Sequence, residues 1–177
     1  MGAVLFTPFI VPFNRITTLV GSCDHDVVSR VVETQAVGLV PPEEKAALTD
    51  IVFDNLSPAK RKRAEYRRAF EHYCGCFGQQ LTSEFGNIHE LREFDNATES
   101  LDLPVAFSAL LARCPLGLFN DVCPDGHRVG HWASQEIPLF ADRLKPLKGD
   151  GYYADAAIEW CSLVNQTEET ILVGFGF

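Results

Sequence analysis

An α+β domain, mainly helical, with a small β-sheet containing the N- and C-terminal strands, is the fold class the sequence predicts. Three observations carry it. Both ends of the chain, residues 3–13 and 170–177, are runs of β-branched and aromatic residues. Between them, apolar residues recur at helical spacing in several stretches. The 177 residues hold no internal repeat, low-complexity tract or linker, which suits a single globular domain over 1–177.

Residues 3–13 read as one or two short strands, edge-like because Pro8 and Pro12 cannot donate to a ladder. In "FNRITTLVGS" Asn14 is a candidate N-cap and Gly21 a C-terminal stop. Ser22 or Asp24 caps "DHDVVSRVVETQ", whose Val27, Val28, Val31 and Val32 form a helical stripe. "PPEEKAALTDIVFDN" opens a helix at Pro41–Pro42 with acids in its first turn. Ser57 followed by Pro58 predicts a helix running to about Leu81, with Tyr66, Phe70, Tyr73, Phe77 and Leu81 on one face. Residues 84–102 read as loops with a short helical turn. "PVAFSALLARC" reads as helix, with a strand as the alternative, and "PLGLFNDVCPDGHRVG" as loop from its Pro, Gly and Asn-Asp punctuation. Residues 134–146 and 151–167 give two more helices, the second turning Ala157, Trp160, Cys161 and Val164 inward. "TILVGFGF" ends as a strand apolar enough to be central.

A chain of this length buries roughly 70% of its unfolded surface, so neither metal nor disulfide is required for stability. Apolar residues make up 46% and charged ones 22%, the balance of an ordinary globular protein. Thirteen Phe against one Met predict a core of rigid shape. The net charge of −9 repels nucleic acid and anionic lipid and favours neutral or basic partners. "MGAVLFTPFIVPF" lacks a basic n-region and a small-residue cleavage pattern, and Phe6 stands where myristoylation wants Ser or Thr. No apolar run approaches the ~20 residues of a membrane span. The expectation is a cytoplasmic protein whose six cysteines are reduced thiols, mostly used in packing.

"CPDGHRVGHW" puts Cys123, His127 and His131 within nine positions. Two histidines at i, i+4 share a metal on one helix face, but Pro124, Gly126 and Gly130 argue against a helix across them. As a loop, Cys123 and His127 could join Cys114 or the distant His72, Cys74 and Cys76 in a tetrahedral zinc site. Against that stand neighbouring thiols on a helix, which point apart at i, i+2. A solvated turn with buried cysteines is preferred, and the metal site is kept as the weaker alternative. "GSCDHD" places a thiol and an imidazole, Cys23 and His25, at a helix start, where a thiolate is stabilised. Ser22, Asp24 and Asp26 are equally the residues that cap a helix, which is the preferred reading. No nucleophile elbow and no phosphate-binding glycine loop occurs.

"KRKRAEYRR" holds six of the fifteen bases, yet Tyr66, Phe70 and Tyr73 continue at helical spacing. It reads as the outer face of an amphipathic helix rather than a nucleic-acid arm. The opposite pole lies at residues 84–102, with Glu84, Glu90, Glu93, Asp95, Glu99 and Asp102 against Arg92 alone. That segment is a solvated surface, or a docking face for a basic protein partner.

Several of these stretches together resemble an uncharacterised bacterial family, a domain of unknown function of actinobacterial type. The likeness lies in the N-terminal strand, in "LVGSCDHDVVSRVV", in "YRRAFEHYCGCFGQQL" and most clearly in "LLARCPLGLFNDVCPDGHRVGHWASQEI". The resemblance carries no assigned reaction and therefore no catalytic residues. It implies that Gly130-His131-Trp132 opens a helix and that Cys123 and His127 have no counterpart, which lowers the zinc reading. The function expected is a non-catalytic acidic binding or regulatory protein, immunity-type in character, that covers a basic protein partner. The alternative is a metal- or thiol-dependent enzyme using Cys123/His127/His131 or Cys23/His25. No cofactor, nucleic acid or membrane is expected, and the sequence leaves the oligomeric state open.

Overall fold

The terminal strands meet in the middle of one sheet. The computed structural model describes residues 6–34, 40–81, 88–119, 123, 126–149, 152–164 and 169–176. Strand β1 (Phe6–Pro12) pairs antiparallel with β4 (Thr170–Gly176) over its whole length, from Phe6 opposite Gly176 to Pro12 opposite Thr170. β2 (Gln79–Gln80) covers only Phe9 and Ile10 of β1, and β3 (Arg128–Trp132) flanks β4, giving the order β2-β1-β4-β3. Every residue of β4 is buried, as its unbroken apolar run requires of a central strand. The proline-bearing β1 is second from the edge, with two residues paired on its outer side.

Side chains alternate across this sheet and bury against helices on both faces. Phe9, Val11, Val129, Ile171, Val173 and Phe175 face α1 (Phe13–Thr17), α2 (His25–Thr34), α3 (Pro42–Val52) and α4 (Ala64–Phe77). Phe6, Ile10, Trp132 and Leu172 face α5 (Ile88–Thr98), α6 (Ile137–Leu144), α7 (Tyr152–Leu163) and a 3-10 segment, Phe107–Leu111. On the second face the Trp132 indole stacks on Phe140, ring centroids 4.0 Å apart, with Phe107 edge-on at 4.7 Å. No helix among the described residues is long and apolar enough to cross a membrane.

Local chemistry explains the boundaries. Asp24 caps α2, its carboxylate accepting the Asp26 N–H at 2.9 Å. Pro42 opens α3 with Glu43 and Glu44 in the first turn, as expected. Ala157, Trp160, Cys161 and Val164 are all buried at the α7 end, as expected, while residues 165–167 lie outside the described set.

Four expectations are corrected. Helix α4 starts at Ala64 instead of Ser57, because the chain is extended at Arg63 (φ −90°, ψ 143°) and Lys60–Lys62 form a separate 3-10 turn. It ends at Phe77, where Gly78 leaves the helix, so Leu81 lies beyond it. Residues 88–98 are an eleven-residue helix, where loops with only a short helical turn were expected; Leu91, Phe94 and Thr98 supply its buried stripe. Phe107–Leu111 is 3-10 rather than α-helical. Finally, "RVGHW" does not open a helix: it is strand β3, and α6 begins five residues after it at Ile137.

Candidate functional site

His131 stands on β3 opposite Val173, on the face that also carries Val129. Its Nδ1 is hydrogen-bonded to the main-chain carbonyl of Arg113. A carbonyl can only accept, so Nδ1 carries the proton and Nε2 presents a lone pair. Burial lowers the His131 pKa from its ordinary 6.5, and the carbonyl hydrogen bond only partly opposes this, so the ring is neutral at pH 7. Beside it the Arg113 guanidinium makes a two-toothed pair with Glu136, at 2.7 and 3.2 Å. Glu136 Oε2 also accepts the Ala133 N–H at 2.8 Å, closing the turn between β3 and α6. These groups border a cleft of 340 Å³ whose other wall is Phe13 and Ile171, with Ser134 and Glu169 at its rim. The Glu169 carbonyl accepts the Phe13 N–H at 2.9 Å, which ties the start of β4 to the start of α1 across the cleft.

The expected partners of His131 are elsewhere. His127 precedes β3 while His131 lies within it. Cys123 is buried, and it and Cys114 both lie within electrostatic reach of Arg67, a buried guanidinium 5.4 Å above the Phe119 ring. Burial pushes the Cys114 thiol up to about 12 and Cys74 well above its usual value, so Cys114 and Cys74 are neutral thiols. Among the described residues no group of three or more His, Cys, Asp or Glu side chains could hold a metal. Pro124 lies outside the described residues.

Cys23 is exposed with a left-handed backbone (φ 55°), its N–H donated to Val52, while the His25 ring sits 4.7 Å from Phe53. Asp24 caps the helix between them, so this corner is built as a helix start. Much of the basic run is engaged by the structure, while Lys62 and Arg63 stay exposed ahead of α4. Lys60 pairs with Asp50 at 2.8 Å, Arg61 donates to the Gly117 carbonyl at 2.6 Å, and Arg67 is 2% exposed. One cluster had no signal beyond helical spacing: Arg68 and His72, four apart on α4, both bind the buried Glu44 carboxylate of α3 at 2.8 Å. Burial also raises the adjacent Glu71 carboxyl to about 7, against a hydrogen bond with Thr7, and the Glu44 charge adds to the rise.

The acidic segment becomes the outer side of α5 and the 3-10 turn Glu99–Leu101. Glu93, Glu99 and Asp102 are exposed, and Glu90 is half-buried near Tyr153. Asp102 pairs loosely with Arg143 at 3.8 Å, and no ion pair reaches Glu93 or Glu99 among the described residues. Asp95 differs from them: its carboxylate accepts the Phe107 and Ser108 N–H groups and holds the start of the 3-10 segment. Glu84 lies outside the described residues.

A family described as a domain of unknown function, DUF7691, matches residues 1–176. No curated protein and no solved structure matches the chain.

Proposed function

The chain belongs to the DUF7691 family, and from that premise we propose that it is a non-catalytic acidic binding or regulatory protein of a bacterial, actinobacterial-type cytoplasm. Its partner is a basic protein, in the manner of an immunity or antitoxin pairing, met by the acidic side of α5. The observation that carries this reading is the exposure of Glu93, Glu99 and Asp102 on one helix and its 3-10 extension, while that helix buries Leu91 and Phe94. Glu93 and Glu99, which no ion pair reaches among the described residues, are available to steer and hold a cationic surface, and Asp102 is held only loosely by Arg143. The net charge of −9 adds a long-range field of the same sign. The enzymatic alternative has less support, since it needs Cys123, His127 and His131, or Cys23 and His25, to converge.

The test is capture from a bacterial lysate by wild type and by a Glu93→Lys/Glu99→Lys variant at two salt concentrations. A cationic protein held by wild type, lost at high salt and lost by the variant supports the reading. Identical retained sets from the two baits remove α5 as the docking face, and a wild type that holds nothing at low salt defeats the proposal.

A further inference from the structure

We infer that the cleft beside His131 is a binding site for a small organic cation, a primary ammonium carried on a short apolar body. The acceptor is already set. With Nδ1 donating to the Arg113 carbonyl, His131 offers its Nε2 lone pair, and this atom is neither hydrogen-bonded among the described residues nor sealed from solvent. A neutral imidazole nitrogen accepts a hydrogen bond and donates none, so it selects a donor from the ligand.

Charge in the cleft points the same way. Arg113 is the one cation on the lining among the described residues, and both its terminal nitrogens are held by the Glu136 carboxylate. That pairing cancels its charge locally and leaves it a poor anion receptor. Glu169, which no ion pair reaches among the described residues, then leaves the rim with a negative formal charge. A carboxylate and a neutral nitrogen acceptor suit an ammonium group, whose three donors can be shared between them and Ser134.

The remaining wall is apolar. Phe13 and Ile171 flank the space, and an aromatic ring also attracts a cation to its face. The volume of 340 Å³ is at the small end for ligand clefts, the room of roughly eleven waters at ~30 Å³ each. Phenethylamine has the right size and carries both features. A coordinated transition metal is a worse fit, because no group of three ligating side chains assembles among the described residues.

The experiment is calorimetric or NMR titration of the full chain with phenethylamine, 2-phenylethanol and phenylacetate, which share a body and differ in head group. The amine is expected to bind at least tenfold more tightly than the alcohol, with no saturable binding of the acid. Glu169→Gln, at an exposed position where folding is preserved, is expected to weaken the amine at least tenfold and leave the alcohol unchanged. Phe13→Leu is expected to weaken both. Glu93→Lys, on the other face of the sheet, leaves all three affinities unaltered, which separates this site from the proposed docking face. Equal affinity for the three ligands, no saturable amine binding at millimolar concentration, or an amine affinity indifferent to Glu169→Gln overturns the assignment.

Discussion

Gly130 and Gly174 stand opposite one another on β3 and β4, and the 3-10 segment Phe107–Leu111 rests its main chain on both. A Cβ on Gly130 would lie 2.2 Å from the Ala109 carbonyl oxygen and 2.5 Å from the Leu110 carbonyl carbon. On Gly174 it would come 2.8 Å from the Leu110 oxygen. The sheet is therefore thin here by necessity, and the segment that carries Phe107 into the second core depends on it.

Gly130→Ala is expected to cost about 3 kcal/mol or more, because the atoms it meets are backbone and cannot rotate aside. Gly126→Ala makes the comparison: it has a positive φ of 82° but nothing within 4 Å, so only conformational strain of about 1–2 kcal/mol applies. Urea unfolding of both variants measures the difference, and equal losses would show that the close approach does not constrain the fold.

Glu71→Gln is expected to stabilise the protein at alkaline pH. The folded carboxyl titrates near 7, above its ordinary 4.5, so the folded state binds more protons than the unfolded one between those values. The contribution is complete below 4.5 and is lost as pH rises to about 7, a change of about 2–3 kcal/mol for a largely buried group. Thermal unfolding across that window should decline in wild type and stay flatter in the glutamine variant.

His131 titrates with the opposite sign. Its folded pKa lies below 6.5, so its contribution is present above 6.5 and is lost as pH falls through the folded value. His131→Ala removes that acid-side loss and strips the Arg113 carbonyl of its donor, a cost of about 1–3 kcal/mol at neutral pH if water does not replace it. A surface-turn histidine would cost less than about 0.5 kcal/mol, so denaturant melts at neutral and mildly acidic pH distinguish the two.

Asp95 and Glu93 are two residues apart with different duties. Asp95→Ala leaves the Phe107 and Ser108 N–H groups without their acceptor and is expected to cost about 1–3 kcal/mol. Glu93→Lys, at an exposed site, should fall within about 0.5 kcal/mol of wild type. Equal melting temperatures for the two variants would show that the carboxylate does not hold the 3-10 segment.

The legible parts of the fold were those set by strong local patterns. The unbroken run at 170–176 announced a central strand, Pro42 and its acids announced α3, and spacing placed Trp160 and Cys161 inward. Strand β3 was not legible because Gly130 looks like turn punctuation, and its purpose appears only when Ala109 is seen against it. Helix α5 was hidden by an apolar stripe too sparse to stand out among acids. The start of α4 was misplaced because Ser57-Pro58 is a sound local signal that the extended residue Arg63 overrides. The cleft draws on residues 13, 113, 131 and 169, so no spacing in the sequence could have joined them. His131 was singled out, but as part of a solvated turn with a metal site as the weaker alternative, whereas it stands on β3 with its Nδ1 on the Arg113 carbonyl.

The pairing of β1 with β4 sets a timetable for the nascent chain. About 160 residues separate Pro12 from Thr170, and at roughly 5–20 residues per second the ribosome takes between about ten seconds and half a minute to span them. Through that interval Phe9 and Val11 lack the strand that covers one edge of theirs, and α1–α4 have no β4 side chains to close against. Synthesis thus leaves an apolar, strand-forming segment waiting for its last neighbour, the state that chaperones shield.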